Sequence, residues 1–261
     1  MSPDLLGSGW SIIDDFVLTR APQIYTTMPI PLHQLTLALF DEGTLEIADY
    51  VPGEDQFVLD AVLQWMSGNG PWYVMLWGAT GTGKSHLIQC AIRAAGDQQQ
   101  RAMYLPLAQV MELHPAVLED LESIKYLGID DIHLAAGRED WELALFNLFN
   151  RVQALGGRLL VGSNRGPQNL DLGLPDLSSR LDSGLICHLT DLDDNAKQTV
   201  LQHRAARRGI NMPDKVARFL IHRLRRDMRE LNDMFERLDS ASLSAGRELT
   251  IPFVRDVLGL N

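Results

Sequence analysis

Apolar residues in this chain come as short clustered runs, separated by longer stretches in which they recur every three or four positions. The short runs predict strands over 72–77, 101–105, 124–129, 158–161 and 185–189. The periodic stretches predict helices, first at Phe57-Val58-Leu59-Asp60-Ala61-Val62-Leu63-Gln64-Trp65-Met66 and most clearly over 141–155, where Gly156-Gly157 supplies a stop. Strands alternating with helices predict a mainly parallel sheet with helices on both faces. After Thr190 the strand pattern ends. Asp193 or Asp194 is suited to cap a helix that runs to Arg208 and stops at Gly209. A second helix starts near Pro213-Asp214, a third spans 228–238, and Pro252 opens a last short one. The expected class is α/β: a parallel-sheet domain over 44–190, then an all-helical domain over 191–261. Upstream, Pro3, Pro22, Pro29 and Pro31 interrupt any helix, so 1–43 reads as an arm outside the core.

Between the first strand and its helix stands Gly78-Ala79-Thr80-Gly81-Thr82-Gly83-Lys84-Ser85, which fits G-x-x-x-x-G-K-[ST]. Glycines in that setting let successive backbone N–H groups turn inward on phosphate oxygens. Lys84 adds a point positive charge, Ser85 a hydroxyl for Mg²⁺, and the helix N-terminus a favourable field. ADP or ATP is the expected ligand, with His86 continuing the loop into the helix.

The third predicted strand ends in Asp130-Asp131, at the edge of a parallel sheet where ligands bind. Asp130 is placed to hold Mg²⁺ through water, and Asp131 to orient or polarise the attacking water. The plainer alternative is two acids favoured by a helix N-terminus. Asn164 ends the next strand, either as a γ-phosphate sensor or as a turn residue before Pro167. Arg180 lies in Ser178-Ser179-Arg180-Leu181-Asp182-Ser183-Gly184. It either faces a neighbouring molecule's ATP or pairs locally with Asp176 or Asp182. Arg229 sits where the helical domain can reach back to bound phosphates. Arg204, Arg207, Arg208, Arg225 and Arg226 form a basic cluster, of a kind that is commonly a solvated face.

The net charge of −11 argues against broad DNA binding, since affinity for DNA comes largely from Lys and Arg. The only two cysteines, Cys90 and Cys187, match no metal or redox spacing; both read as buried thiols, which suits a reducing cytoplasm. No apolar run approaches a membrane span, and Asp4, Asp14 and Asp15 replace the basic start of a signal peptide. Met28 is an alternative start, which would leave residues 1–27 outside the native protein.

Together these features resemble the AAA+ superfamily and, within it, the DnaA clade. The likeness rests on Gly83-Lys84-Ser85-His86-Leu87, Ile129-Asp130-Asp131-Ile132, Ser179-Arg180-Leu181 and Met228-Arg229-Glu230-Leu231, and runs from about Thr44 to the end. It implies a P-loop nucleotide-binding domain with a helical lid, and Tyr50 and Val51 near the base. DnaA-type initiators carry a helix-turn-helix domain beyond the lid; here Asn261 follows the lid directly. The phrases Gly173-Leu174-Pro175-Asp176-Leu177, Ser179-Arg180-Leu181-Asp182 and Leu249-Thr250-Ile251-Pro252-Phe253-Val254 resemble the Hda-like regulators of DnaA.

Gln34-Leu35-Thr36-Leu37-Ala38-Leu39-Phe40 is similar to the hexamer that binds the sliding clamp. In an extended segment Leu35, Leu37 and Leu39 share one face, while the Gln34 amide can fix register and Phe40 closes the run. An edge strand packed on its own core is the alternative.

The resemblance implies a cytoplasmic negative regulator of DNA replication initiation. It would tether to the DNA-loaded clamp, the β subunit of DNA polymerase III. With Arg180 as an arginine finger in trans it would promote ATP hydrolysis by DnaA, leaving the inactive ADP form. DNA is then reached only through the clamp, no membrane is involved, and a homo-oligomer stays open. The intact loop and acid pair keep a second reading open, an AAA+ ATPase that loads or remodels a helicase with its own turnover. A truncated initiator that binds origin DNA is a third.

Overall fold

A computed structural model of the chain describes residues 46–223, 228–245 and 247–260. Five strands form one parallel sheet: β1 (Tyr73–Trp77), β2 (Ala102–Pro106), β3 (Tyr126–Asp130), β4 (Arg158–Ser163) and β5 (Leu185–His188), in the order β2-β3-β4-β1-β5. Side chains alternate across a strand, so each strand feeds two cores. Tyr73 and Met75 of β1, with Leu159 and Val161 of β4, enter one core, while Val74, Leu76 and Leu160 enter the other. Both faces being apolar is what made these strands read as continuous hydrophobic runs.

One face is covered by α1 (Gln56–Met66) and α2 (Lys84–Asp97), through Val62, Trp65, Leu87, Ile88 and Ile92. The other is covered by α3 (Leu107–Val110), α4 (Glu139–Ala154) and α5 (Pro175–Leu181), through Leu107, Trp141, Leu145, Phe149 and Leu177. On the first face α2 lies close to the sheet at two glycines. A Cβ on Gly128 would meet Ile88 Cγ2 at 2.6 Å and Ile92 Cγ1 at 2.8 Å, and one on Gly162 would collide with the Asp130 carboxylate.

Past β5 the chain is helical: α6 (Asp194–Arg207), α7 (Asp214–Arg223), α8 (Met228–Ala245) and α9 (Ile251–Leu258). They share a core of their own, built on Leu201, Val216, Leu220, Leu231, Phe235 and Val254. The Asp193 side chain caps α6 by accepting from Ala196 N at 2.7 Å, and Gly209 takes the left-handed φ of 70° just past its end. α8 runs beyond the predicted 238 to Ala245. Its last turns are Ser- and Ala-rich, and Ser244 Oγ returns to Ser240 O at 2.8 Å rather than breaking the helix. Pro252 stands second in α9, after Ile251, with Thr250 as the cap. The junction between sheet and lid is fixed by Asp55, whose Oδ2 accepts from Thr190 N at 2.7 Å and from Thr190 Oγ1 at 3.0 Å. Among the described residues no helix is long and apolar enough to cross a membrane.

Candidate nucleotide-binding site

The loop 78–83 rises from the carboxyl end of β1 and turns into α2. Three glycines shape it. Gly81 and Gly83 both hold φ of 91°, in the left-handed region that favours glycine. At Gly78 a Cβ would strike the carbonyl of Leu189, because β5 crosses directly beside the loop. The Lys84 ammonium, 6% exposed, donates to the carbonyls of Gly78 (2.9 Å) and Ala79 (2.7 Å) and lies 3.4 Å from Thr82 Oγ1. Its charge is therefore held inside the ring of the loop, where a phosphate oxygen would meet it. Ser85, one residue on, is exposed at the start of α2.

Facing the loop, Asp130 closes β3 and is 1% exposed. Its Oδ2 accepts from Tyr104 Oη at 2.8 Å and its Oδ1 from Asp131 N at 3.0 Å. Gly162 on β4 leaves the space that this carboxylate fills. Asp131 follows with φ of 58°, a left-handed conformation that aspartate tolerates better than most side chains. His133 stands beside the pair. Its Nδ1 accepts from Asn164 N at 3.3 Å, which ties the turn after β3 to the end of β4. Burial lowers the His133 pKa; Asp131 opposes the shift, Lys84 reinforces it, and Asp130 and Arg165 act with smaller effect. Lys84, Asp130, Asp131, His133, Asn164 and Arg165 thus converge on the carboxyl edge of β1, β3 and β4, with the Asn164 side chain exposed there.

A cavity opens on the other side of the loop, between the sheet and the lid. Tyr50, Val51, Gly81, Thr82, Gly83 and His86 line it from below, and Leu192, Val200, Arg204 and Met228 from above. The Tyr50 and His86 rings meet edge to face at 5.9 Å. Burial holds the Tyr50 hydroxyl neutral, with Asp55 adding to the effect. The lining mixes apolar and aromatic side chains with the loop backbone, Thr82, His86 and Arg204.

Of the other expected contributors, some fall outside the described residues and one is remote from the loop. The Arg229 side chain is outside the described residues, as are Arg225, Arg226 and the whole of Gln34, Leu35, Leu37, Leu39 and Phe40. Arg180 is described, and is remote from the loop. It sits on α5, whose Leu181 carbonyl accepts from Tyr73 Oη at 2.9 Å, at the amino end of β1. The loop begins at the carboxyl end of that strand, ~13 Å or more away at ~3.3 Å per residue. The Arg180 guanidinium is half-buried and makes no ion pair or hydrogen bond with any described residue, Asp176 and Asp182 included.

The described members of the basic cluster, Arg204, Arg207 and Arg208, differ in their contacts. Arg204 lines the cavity, Arg207 lies 3.3 Å from Glu46, and Arg208 pairs with Glu236 (2.6 Å) and Asp239 (2.5 Å) while covering Phe235.

Sequence reasoning passed over Tyr104, His133 and Gly162. His133 could have been caught by its place two residues after the acid pair; the other two are brought in only by strand pairing.

A family model described as the bacterial DnaA ATPase domain matches residues 50–188, and one described as the Hda lid domain matches 194–258. Among solved structures, domain III of the Thermotoga maritima replication initiation protein DnaA aligns with a TM-score of 0.71 at 22% identity, covering 82% of this chain and 95% of that one. AMPPCP-bound DnaA from Aquifex aeolicus aligns at 0.62 and 22% identity, over 75% of this chain and 66% of that one. The Thermotoga maritima RuvB Holliday junction branch migration motor aligns at 0.63 and 18% identity, over 84% and 72%. At these identities the structural likeness is one of fold, an AAA+ sheet with a helical lid.

Proposed function

The chain belongs to the bacterial DnaA ATPase-domain family and carries an Hda-type lid, and from that premise we propose that it is a nucleotide-bound negative regulator of replication initiation. It supplies Arg180 to ATP held by DnaA and promotes hydrolysis there, converting DnaA to the inactive ADP form. The observation that carries this reading is the placement of Arg180: a guanidinium with no partner among the described residues, on the rim of the sheet opposite the chain's own phosphate loop. It is too far to serve that loop and free to serve another.

The chain's own site binds ADP or ATP, with phosphates in the loop 78–85 and the base in the cavity beside Tyr50, Val51 and His86. Mg²⁺ fits as a companion of the phosphates. Among the described residues no group of three or more His, Cys, Asp or Glu forms a self-sufficient metal site. The exposed Ser85 hydroxyl and the oriented Asp130 carboxylate suit an ion that brings most of its ligands as phosphate oxygen and water. That ion would neutralise phosphate charge; Asp130 would hold its water, and Asp131 would orient the water of attack. Asn164 and Arg229 are assigned to the γ-phosphate end. Gln34, Leu35, Leu37, Leu39 and Phe40 are assigned to the sliding clamp, which delivers the molecule to DNA.

The test combines the full chain, clamp, DNA and ATP-loaded DnaA. DnaA's hydrolysis should rise, and Arg180→Ala should remove the rise, since an arginine supplied in trans is worth ~10³–10⁵ in rate. An undiminished rise with Arg180→Ala would overturn the assignment. The intact Asp130-Asp131 pair favours one rival, an ATPase that loads or remodels a helicase. Multiple turnover by the purified chain alone, without DnaA, would select it.

A further inference from the structure

Glu142 is a glutamate buried to 1% exposure in the first turn of α4, without a cationic partner among the described residues. Its carboxylate is instead shared among three backbone N–H groups. Oε1 accepts from Gly137 N at 2.8 Å and from Gly173 N at 3.1 Å, and Oε2 accepts from Leu174 N at 2.7 Å. Leu174 is the residue that opens α5. Gly137 belongs to the turn that leaves the Asp131–His133 segment for α4. One side chain therefore joins the start of the Arg180 helix to the loop behind the acid pair.

The other end of α5 is held as well. Tyr73 Oη donates to Leu181 O at 2.9 Å, and the Tyr73 ring packs edge-on against Phe149 of α4 at 5.0 Å. α5 is only seven residues long, too short to hold its own geometry in water. Its orientation is set by Leu177 and Leu181, both buried in the core, together with these two fixings at its ends. Charge-assisted bonds to a buried carboxylate are the stronger kind, and removing one leaves buried donors unsatisfied.

We propose that Glu142 and Tyr73 are positioning residues that clamp α5 at both ends and aim Arg180 at its target in the partner molecule. The proposal rests on the reading of Arg180 given above. Neither residue touches nucleotide; each acts through the helix that carries the guanidinium. A displacement of about 1 Å in a catalytic group can cost on the order of 10²-fold in rate, so loosening the helix lowers the rate within the complex more than it weakens the complex.

The experiment titrates the full chain into ATP-loaded DnaA with clamp and DNA, and reads the maximal hydrolysis rate separately from the concentration giving half of it. Glu142→Gln keeps the volume but turns an amide donor toward backbone donors; Tyr73→Phe removes only a hydroxyl. For Glu142→Gln the expected result is a maximal rate lower by about tenfold or more, with half-maximal concentration and nucleotide affinity of the chain unchanged. Tyr73→Phe should produce the same split, more weakly, and decides the matter if Glu142→Gln does not fold. In an Arg180→Ala background neither substitution should have a further effect. A folded variant that keeps the full maximal rate, or loses only apparent affinity, overturns the clamp while Arg180 stands. If Arg180→Ala itself leaves the rise intact, the reading of Arg180 and the clamp fall together.

Discussion

His133 is a built-in reporter of the site. Its Nδ1 accepts a backbone hydrogen bond, so the neutral ring is the form that fits, and burial pushes its pKa below the usual 6.5. The sign follows directly. Between the lowered folded value and 6.5 the unfolded chain binds a proton that the folded chain refuses, so stability falls as pH drops through that window. Thermal melts from pH 7 downward should show a loss that His133→Asn abolishes; identical pH profiles for the two proteins would refute the assignment. Chemistry carried by adjacent residues was legible in the sequence: the phosphate loop is a linear string, and the acid pair ends an apolar run. Tyr104, which bonds Asp130 across 26 positions, and Glu142, which bonds Leu174 across 32, left no such string. Their roles exist only once distant elements have been brought side by side.

At the scale of elements, the strand runs and helix periodicities announced all five strands and most helices; burial on both faces leaves the inner strands without polar interruption, while the edge strand β5 exposes Leu185 and His188. α5 was not announced. Seven residues opened by a proline carry too little periodicity to stand out from a loop, and the contacts that place the helix, with Glu142, Tyr73 and the core around Leu177 and Leu181, come from distant elements. Gly128 is a comparable case on β3, where it reads as a weak strand residue until α2 is seen pressing on it. Gly128→Ala would drive a methyl group to within 2.8 Å of Ile88 and Ile92. Overpacking of that kind costs about 1–3 kcal/mol. Urea denaturation should resolve that loss; a midpoint equal to that of the unsubstituted chain would mean α2 packs less tightly than described.

For the molecule as a whole, the cavity between loop and lid links folding to ligand. A nucleotide that binds only the folded chain at 100 times its Kd adds about 2.7 kcal/mol of stability. Calorimetry should show Tm rising with ADP or ATP and staying flat for Lys84→Ala; an equal rise in both would place the ligand away from the loop. The positions of Arg180 and the phosphate loop, at opposite rims of one sheet, also give this protein a polarity. On the reading proposed for Arg180 the two ends carry different chemistry, so a row built on it would have a direction and could not be entered from the wrong end.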